Sequence, residues 1–200
     1  TKKGGGGGGG GDVVEMHKPL PLHNPNQTAE ESLDLETPTD MKCDACIGIS
    51  HVKAAALLKA ERQGGSDKNS RKRLSEGVYL QLMEDVCTKS PWVEDFGVIP
   101  GWGNRNYLVG PGLPEPPLDK NDEDINAVVT RRGGLWEHRL KTQCQERGGA
   151  DEADVYEAHW TGDGGGIAIS AVMCAGGKTK VCVRYPSPRL SIPPEAWGGG

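Results

Sequence analysis

The stretch MKCDACIGIS, residues 41–50, holds two cysteines three positions apart in a chain that contains six. A C-x-x-C pair can be a redox catalyst, half of a metal site or the anchor of a disulfide framework. The even number of cysteines favours a disulfide framework formed in an oxidising, secretory compartment. Such cross-links would matter here, because a chain with one Phe and 35% hydrophobic residues builds only a modest core.

Composition divides the chain around this stretch into three parts. Residues 1–39 form a low-complexity arm with eight consecutive glycines at 4–11, and residues 184–200 form a Pro- and Gly-rich tail. Segments of this kind bury too little apolar surface to offset their ordering entropy, so we predict two flexible tails. The interval 40–183 has the size of one domain.

Helical periodicity dominates that domain. It predicts helices over 43–63, 70–87 and about 134–146, and a fourth over 151–160 that resumes at 167–174. The second helix would carry an apolar stripe of Leu74, Val78, Leu82 and Val86 and begin with the basic run 71–73 as a solvated face. No alternating strand pattern recurs, and about 89–125 is predicted to be a long irregular insertion. The predicted class is therefore an all-α, disulfide-stapled helical bundle.

The cysteine pairing is narrowed by helix geometry, although six cysteines allow fifteen pairings. Cys43 and Cys46 lie on adjacent turns of one helical face, so each should reach a different partner. A nested pairing satisfies these positions: Cys43–Cys182, Cys46–Cys174 and Cys87–Cys144. In the chain-entropy model each of the outer bonds removes roughly 4–5 kcal/mol of unfolded-state freedom.

The nested order and five local motifs point to a known family. The motifs are KCDAC (42–46), LSEGVY (74–79), LVGPGLPEP (108–116), GGLWEHRLKTQC (133–144) and VYEAH (155–159). Over roughly residues 40–182 the chain resembles a plasma-cell-induced family of the endoplasmic reticulum lumen that is related to the canopy proteins and has a saposin-like fold. The resemblance does not extend into either tail.

The resemblance implies a chaperone-like or co-chaperone protein that binds partly folded secretory clients without catalysis. An alternative is a structural subunit of an extracellular or lumenal assembly, which the long Gly- and Pro-rich arms favour. A lipid-binding saposin-like protein is a weaker alternative, because its helices would need strongly apolar inner faces. In each case the predicted location is the secretory pathway, in the endoplasmic reticulum lumen or outside the cell.

Catalytic and metal sites find little support in the sequence. Asp44, between Cys43 and Cys46, should disfavour a reactive thiolate, and the βαβ context of redox C-x-x-C motifs is missing. The resemblance nevertheless keeps weak thiol–disulfide oxidoreductase activity at these two cysteines as a minor hypothesis. A zinc site that used them with His51, or one that used His138 and His159, lacks a second ligand pair at the usual spacing. We therefore predict a non-enzyme without metal or cofactor, with His159 as a capping or packing residue.

The predicted partners are other proteins. The net charge of −5 argues against nucleic acid, and no apolar run reaches 18 residues, so no transmembrane segment is predicted. Within the insertion, Trp92 and Phe96 are expected to pack on the helices. Trp102, between glycines, and Tyr107 are the candidates for partner contact. Asn26, in NQT (26–28), is a candidate glycosylation site.

Overall fold

The computed structural model describes residues 36–66, 70–89, 91–102, 105–116, 131–132, 135–146, 151–162, 164–176 and 180–191. The predicted glycosylation site Asn26 and the Trp92 side chain lie outside the described part of the protein.

Six α-helices and a small sheet make up the described part of the fold. The helices are α1 (Lys42–Gln63), α2 (Glu76–Lys89), α3 (Leu135–Glu146), α4 (Glu152–Thr161), α5 (Gly166–Ser170) and α6 (Val181–Arg184). A π-helical segment, Ala171–Gly176, continues α5, and 3₁₀ turns lie at Thr39–Met41, Pro91–Asp95 and Pro188–Ser191. The predicted disulfide-stapled helical class is confirmed.

Helix α1 lies at the centre of the domain. It packs against α2, α3, α5, α6 and the π-helical segment. Because neighbours cover it on several sides, its buried residues are spread around the helix and include Asp44, Ser50, Lys53 and Glu61 beside apolar ones. Central burial of α1 therefore forces several polar side chains to find partners inside the protein.

The second helix begins later than predicted. Residues 70–75 are non-helical and α2 starts at Glu76, so the basic run 71–73 does not begin a helix. This segment is instead held by long-range hydrogen bonds: the Lys72 amide donates to the Glu61 carbonyl at 3.1 Å, and the Leu74 amide donates to the Tyr156 hydroxyl at 2.7 Å. The predicted apolar stripe is also wrong at Val78, which is 51% exposed. The buried face of α2 is formed by Tyr79, Met83, Val86 and Cys87.

The insertion is not irregular throughout, because it contains a three-stranded antiparallel sheet in the order β2-β1-β3. Strand β1 spans Gly97–Gly101, β2 spans Arg105–Val109 and β3 spans Arg131–Arg132. Strands β1 and β2 form a hairpin in which Ile99 pairs with Tyr107 and Gly101 with Arg105. The sequence hides these strands because VIP and NYLV are too short to establish a period of two.

Phe96 docks the hairpin onto α1. Its ring is completely buried, as the sequence predicts. It lies against Gly48 of α1, where an added Cβ would come within 2.5 Å of the Phe96 ring. A side chain at position 48 would therefore push the hairpin away from the helix.

The C-terminal segment packs against the body beyond residue 183. Ser187 and Arg189 are at least nine-tenths buried, although they lie in the region predicted to be a flexible tail. The folded part of the chain thus extends at least to the 3₁₀ turn Pro188–Ser191.

Candidate interaction site and the buried polar groups behind it

Trp102 lies at the tip of the β1–β2 hairpin, directly after β1. It is 37% exposed, which makes it one of four large hydrophobic residues exposed in the described part of the chain. The Tyr107 hydroxyl donates to the Trp102 carbonyl oxygen at 2.9 Å. The aromatic ring is thus presented from a backbone that a hydrogen bond holds in place.

Tyr107 itself is not a contact residue, contrary to the prediction. Only 1% of it is exposed, and its ring lies inside the protein. Burial raises the pKa of its hydroxyl, which therefore stays protonated and can donate to Trp102 at neutral pH. The last four residues of β2 are all buried, so both faces of the strand are covered here and Tyr107 lies inside the protein.

Arg189 from the C-terminal segment contacts the buried side of the same hairpin. Its guanidinium donates to the Asp44 carboxylate, to the carbonyl of Leu108 in β2 and, at 3.1 Å, to the Pro114 carbonyl. The guanidinium also lies 5.8 Å from the centre of the Tyr107 ring. One side chain thus joins the start of α1, strand β2 and the loop that follows it.

Burial dominates the electrostatics of this ion pair. Loss of water raises the pKa of Asp44, and the nearby Arg189 charge opposes that rise. Loss of water likewise lowers the pKa of Arg189, against the attraction of Asp44. Both directions indicate that the desolvation cost exceeds the mutual attraction, as is common for buried ion pairs. The sequence analysis missed Arg189, because no feature of the neighbouring residues indicates that an arginine in a Pro- and Gly-rich tail is buried.

The cysteines form the nested disulfides Cys43–Cys182, Cys46–Cys174 and Cys87–Cys144, and no cysteine is free. The corresponding Cα–Cα distances are 4.7, 5.9 and 5.4 Å, all within the usual range. The first two bonds tie α1 to α6 and to the π-helical segment, and the third ties α2 to α3. Cys43 and Cys46 therefore have different partners and are not bonded to each other.

A second buried polar cluster joins α1, α4 and the segment before α2. Glu61 and His159 are fully buried, with Glu61 Oε2 3.3 Å from His159 Nε2. Arg71 donates from Nε to the same carboxylate oxygen at 2.7 Å. His159 is thus a packing residue with a defined polar partner, and Arg71 from the basic run closes the cluster over Glu61.

His159 is held neutral in this cluster. Burial lowers the pKa of its imidazole, and the Glu61 carboxylate only partly opposes that effect. The neutral ring donates from Nε2, and its Nδ1 finds no partner among the described residues. Arg71 adds a positive charge that further disfavours protonation.

We expect the stability to fall on acidification below the ordinary histidine pKa of about 6.5. Because the folded-state pKa of His159 is lowered, the unfolded chain takes up the proton first and is favoured as the pH drops. His159→Gln should flatten the dependence of the unfolding free energy on pH in this range. The check is urea unfolding at several pH values, with the exposed His138→Gln as the control. Equal slopes for the wild type and His159→Gln would contradict the assignment.

Two kinds of site are not seen in the described ranges. Within them, no group of three His, Cys, Asp or Glu side chains is placed to hold a metal ion. Nor does any described helix combine the length and apolarity needed to span a bilayer.

Three relatives set the chain in context. It is 34% identical over 160 residues to the marginal zone B- and B1-cell-specific protein of Homo sapiens, covering 79% of this chain and 78% of the relative. The proteins of the same name from Rattus norvegicus and Bos taurus are 28% and 29% identical over 170 and 171 residues, with 84% of each chain covered. No protein-family model matches the chain. The extent and identity of the human match establish that the chain belongs to the family of marginal zone B- and B1-cell-specific proteins.

Proposed function

We propose that this protein is a non-catalytic, chaperone-like or co-chaperone protein of the secretory pathway that binds partly folded secretory proteins through the hairpin tip. The observation that carries the proposal is Trp102, an exposed aromatic side chain on a hairpin braced from behind by Tyr107 and Arg189. Tryptophan is enriched among the residues that dominate binding energy at protein interfaces. A braced backbone lowers the entropy lost on binding.

The proposed compartment is supported by the cysteines. Three disulfides persist only where thiols are not kept reduced, so the lumen of the secretory pathway or the extracellular space suits this protein. The non-catalytic role is supported by the same bonds, because Cys43 and Cys46 have no free thiol in this state.

The structural-subunit alternative rests on the arms, most of whose residues lie outside the described ranges. It predicts a stable stoichiometric complex, whereas a chaperone-like role predicts reversible binding to unfolded chains. Recovery of bound lipid from the purified protein would favour the lipid-binding alternative.

Trp102→Ala should weaken binding to an unfolded secretory protein about thirtyfold, since truncation of a tryptophan that dominates an interface costs about 2 kcal/mol or more. The measurement is fluorescence anisotropy with labelled, reduced and carboxymethylated α-lactalbumin as the probe. The thermal midpoint should change little, because the side chain is partly exposed and the backbone hydrogen bond from Tyr107 is kept.

Ile167→Ala is the matched control, because Ile167 is a large hydrophobic residue that is 87% exposed and belongs to α5, not to the hairpin. It should leave the affinity unchanged. Equal losses in the two variants would indicate general surface hydrophobicity, and no loss in Trp102→Ala would remove the hairpin from the proposal.

A further inference from the structure

The Cys43–Cys182 bond differs from the other two disulfides in its access to solvent. Cys182 is partly exposed, whereas each of the other five cysteines is at most 4% exposed. Its neighbour Val183 is 68% exposed. Thiol–disulfide exchange requires that a thiolate reach one of the two sulfurs. Of the six cysteines, Cys182 is therefore the residue most open to an approaching thiolate.

An open cleft of about 600 Å³ lies between the two chain segments that this bond joins. One wall is formed by residues 36–40, which shortly precede Cys43, and the other by residues 184–186, which shortly follow Cys182. The cleft opens the segments next to both cysteines to solvent, although neither cysteine is among its lining residues.

Two basic residues flank Cys182 along the chain. Lys180 and Arg184 are both exposed and lie two residues to either side of Cys182. Basic neighbours raise the local concentration of an approaching thiolate and favour the charged nucleophile.

The sulfur of Cys43, which would leave as a thiolate, lies at the start of a helix. Cys43 is the second residue of α1, a helix of 22 residues, and the positive end of a helix dipole stabilises a thiolate. The adjacent Asp44 is buried, but Arg189 pairs with its carboxylate. Cys43 is thus the better leaving group of this bond.

We propose that Cys182 Sγ is the site at which an external dithiol forms a mixed disulfide with this protein and expels Cys43 as a thiolate. The second thiolate of the reagent then attacks the reagent's first sulfur, which is bonded to Cys182 in the mixed disulfide. This step releases Cys182 as a thiolate. The dithiol loses two electrons and becomes a cyclic disulfide, and the protein gains two thiols. This exchange proceeds through Cys182 and Cys43, not through a dithiol made of Cys43 and Cys46.

The domain stays folded after this reduction. Cys46–Cys174 still ties α1 to the π-helical segment, and Arg189 still holds the C-terminal segment on Asp44 and Leu108. The exchange is therefore a reaction of the native state.

The test is native reduction of the wild-type protein with dithiothreitol, followed by alkylation and peptide mapping. Cys43 and Cys182 should be labelled together, about tenfold or more faster than the other four cysteines, at a rate proportional to the dithiothreitol concentration. The buried pairs should be labelled at a rate set by unfolding. Labelling of another pair first, or of all six cysteines together, would overturn the proposal.

Arg184→Glu tests the local charge and should slow the labelling of Cys182 about threefold. Lys59→Glu is the matched control, because Lys59 is exposed and lies about 24 Å along α1 from Cys43, beyond the screening length. It makes the same change in net charge and should leave the rate unaltered. Equal slowing in the two variants would contradict attack at Cys182.

Discussion

The variant that lacks both Cys43–Cys182 and Cys46–Cys174 is expected to be unfolded at 25 °C, whereas removal of either bond alone leaves a folded domain. The paired replacements are Cys43→Ala with Cys182→Ala, and Cys46→Ala with Cys174→Ala. The reason is that the two bonds are nested and close almost the same loop, so the two losses are not independent.

The loop lengths give the magnitudes. Alone, either bond closes a loop with a sequence separation of 139 or 128 and stabilises the fold by about 5 kcal/mol. With one bond in place, the other closes only the short stretches 43–46 and 174–182, about 11 residues, and adds about 3 kcal/mol. Loss of one bond therefore costs about 3 kcal/mol and loss of both about 8 kcal/mol, comparable with the whole stability of many domains.

Guanidinium unfolding of the three variants measures these costs. Cys87→Ala with Cys144→Ala is the control, because that bond has a sequence separation of 57, lies inside both outer loops and shortens each of them by less than half. Its loss should cost about 4 kcal/mol and add to the loss of either outer bond within about 0.5 kcal/mol. A cost of 5 kcal/mol for each outer bond, with simple addition in the combined variant, would contradict the nested-loop account.

Arg189→Met should destabilise the protein by about 3–5 kcal/mol, because it leaves the Asp44 carboxylate buried without its cation. Asp44→Leu should have a similar cost, because it leaves the Arg189 guanidinium buried without its anion. The combined variant should lose less than the sum of the two, since no buried charge is left unpaired. Urea unfolding of the four proteins gives the coupling energy.

Arg73→Met provides the matched control for this ion pair. Arg73 pairs with Glu157 on the surface, where both side chains are about half exposed. Loss of that pair should cost no more than about 1 kcal/mol. Equal effects for Arg73→Met and Arg189→Met would mean that burial does not set the cost of the Asp44–Arg189 pair.

The pH dependence of Arg189→Met offers an independent readout. The pKa of Asp44 is already raised by burial, and loss of Arg189 removes the main influence that lowers it. A raised folded-state pKa means that the native protein takes up a proton before the unfolded chain does. The penalty in Arg189→Met should therefore shrink as the pH falls toward that pKa. A penalty independent of pH would point to lost packing instead of unpaired charge.

Hydrophobic periodicity predicted the helices whose bounds depend on residues that are close in the sequence. The 3.6-residue period located α1 and α3 within one residue, because helices of 22 and 12 residues repeat the signal over several turns. The start of α2 was misplaced by six residues, because residues 70–75 are helix-compatible but are held by Glu61 and Tyr156. The hairpin was missed because strands of five residues carry too few repeats.

The candidate site was predictable only in part. The flanking glycines drew attention to Trp102, but nothing in the sequence showed that Tyr107 is buried. Arg189 and Glu61 have no local signature, since a charged residue is exposed unless a distant partner compensates its burial.

By itself, the sequence determined the helical class and a cysteine pairing consistent with the helix faces, because periodicity and cysteine spacing are properties of neighbouring positions. Only the tertiary structure decided which charges are buried, which aromatic side chain faces solvent and which disulfide a reagent can reach. Those outcomes depend on contacts between residues up to 145 positions apart, such as Asp44 and Arg189, and no local pattern encodes such contacts.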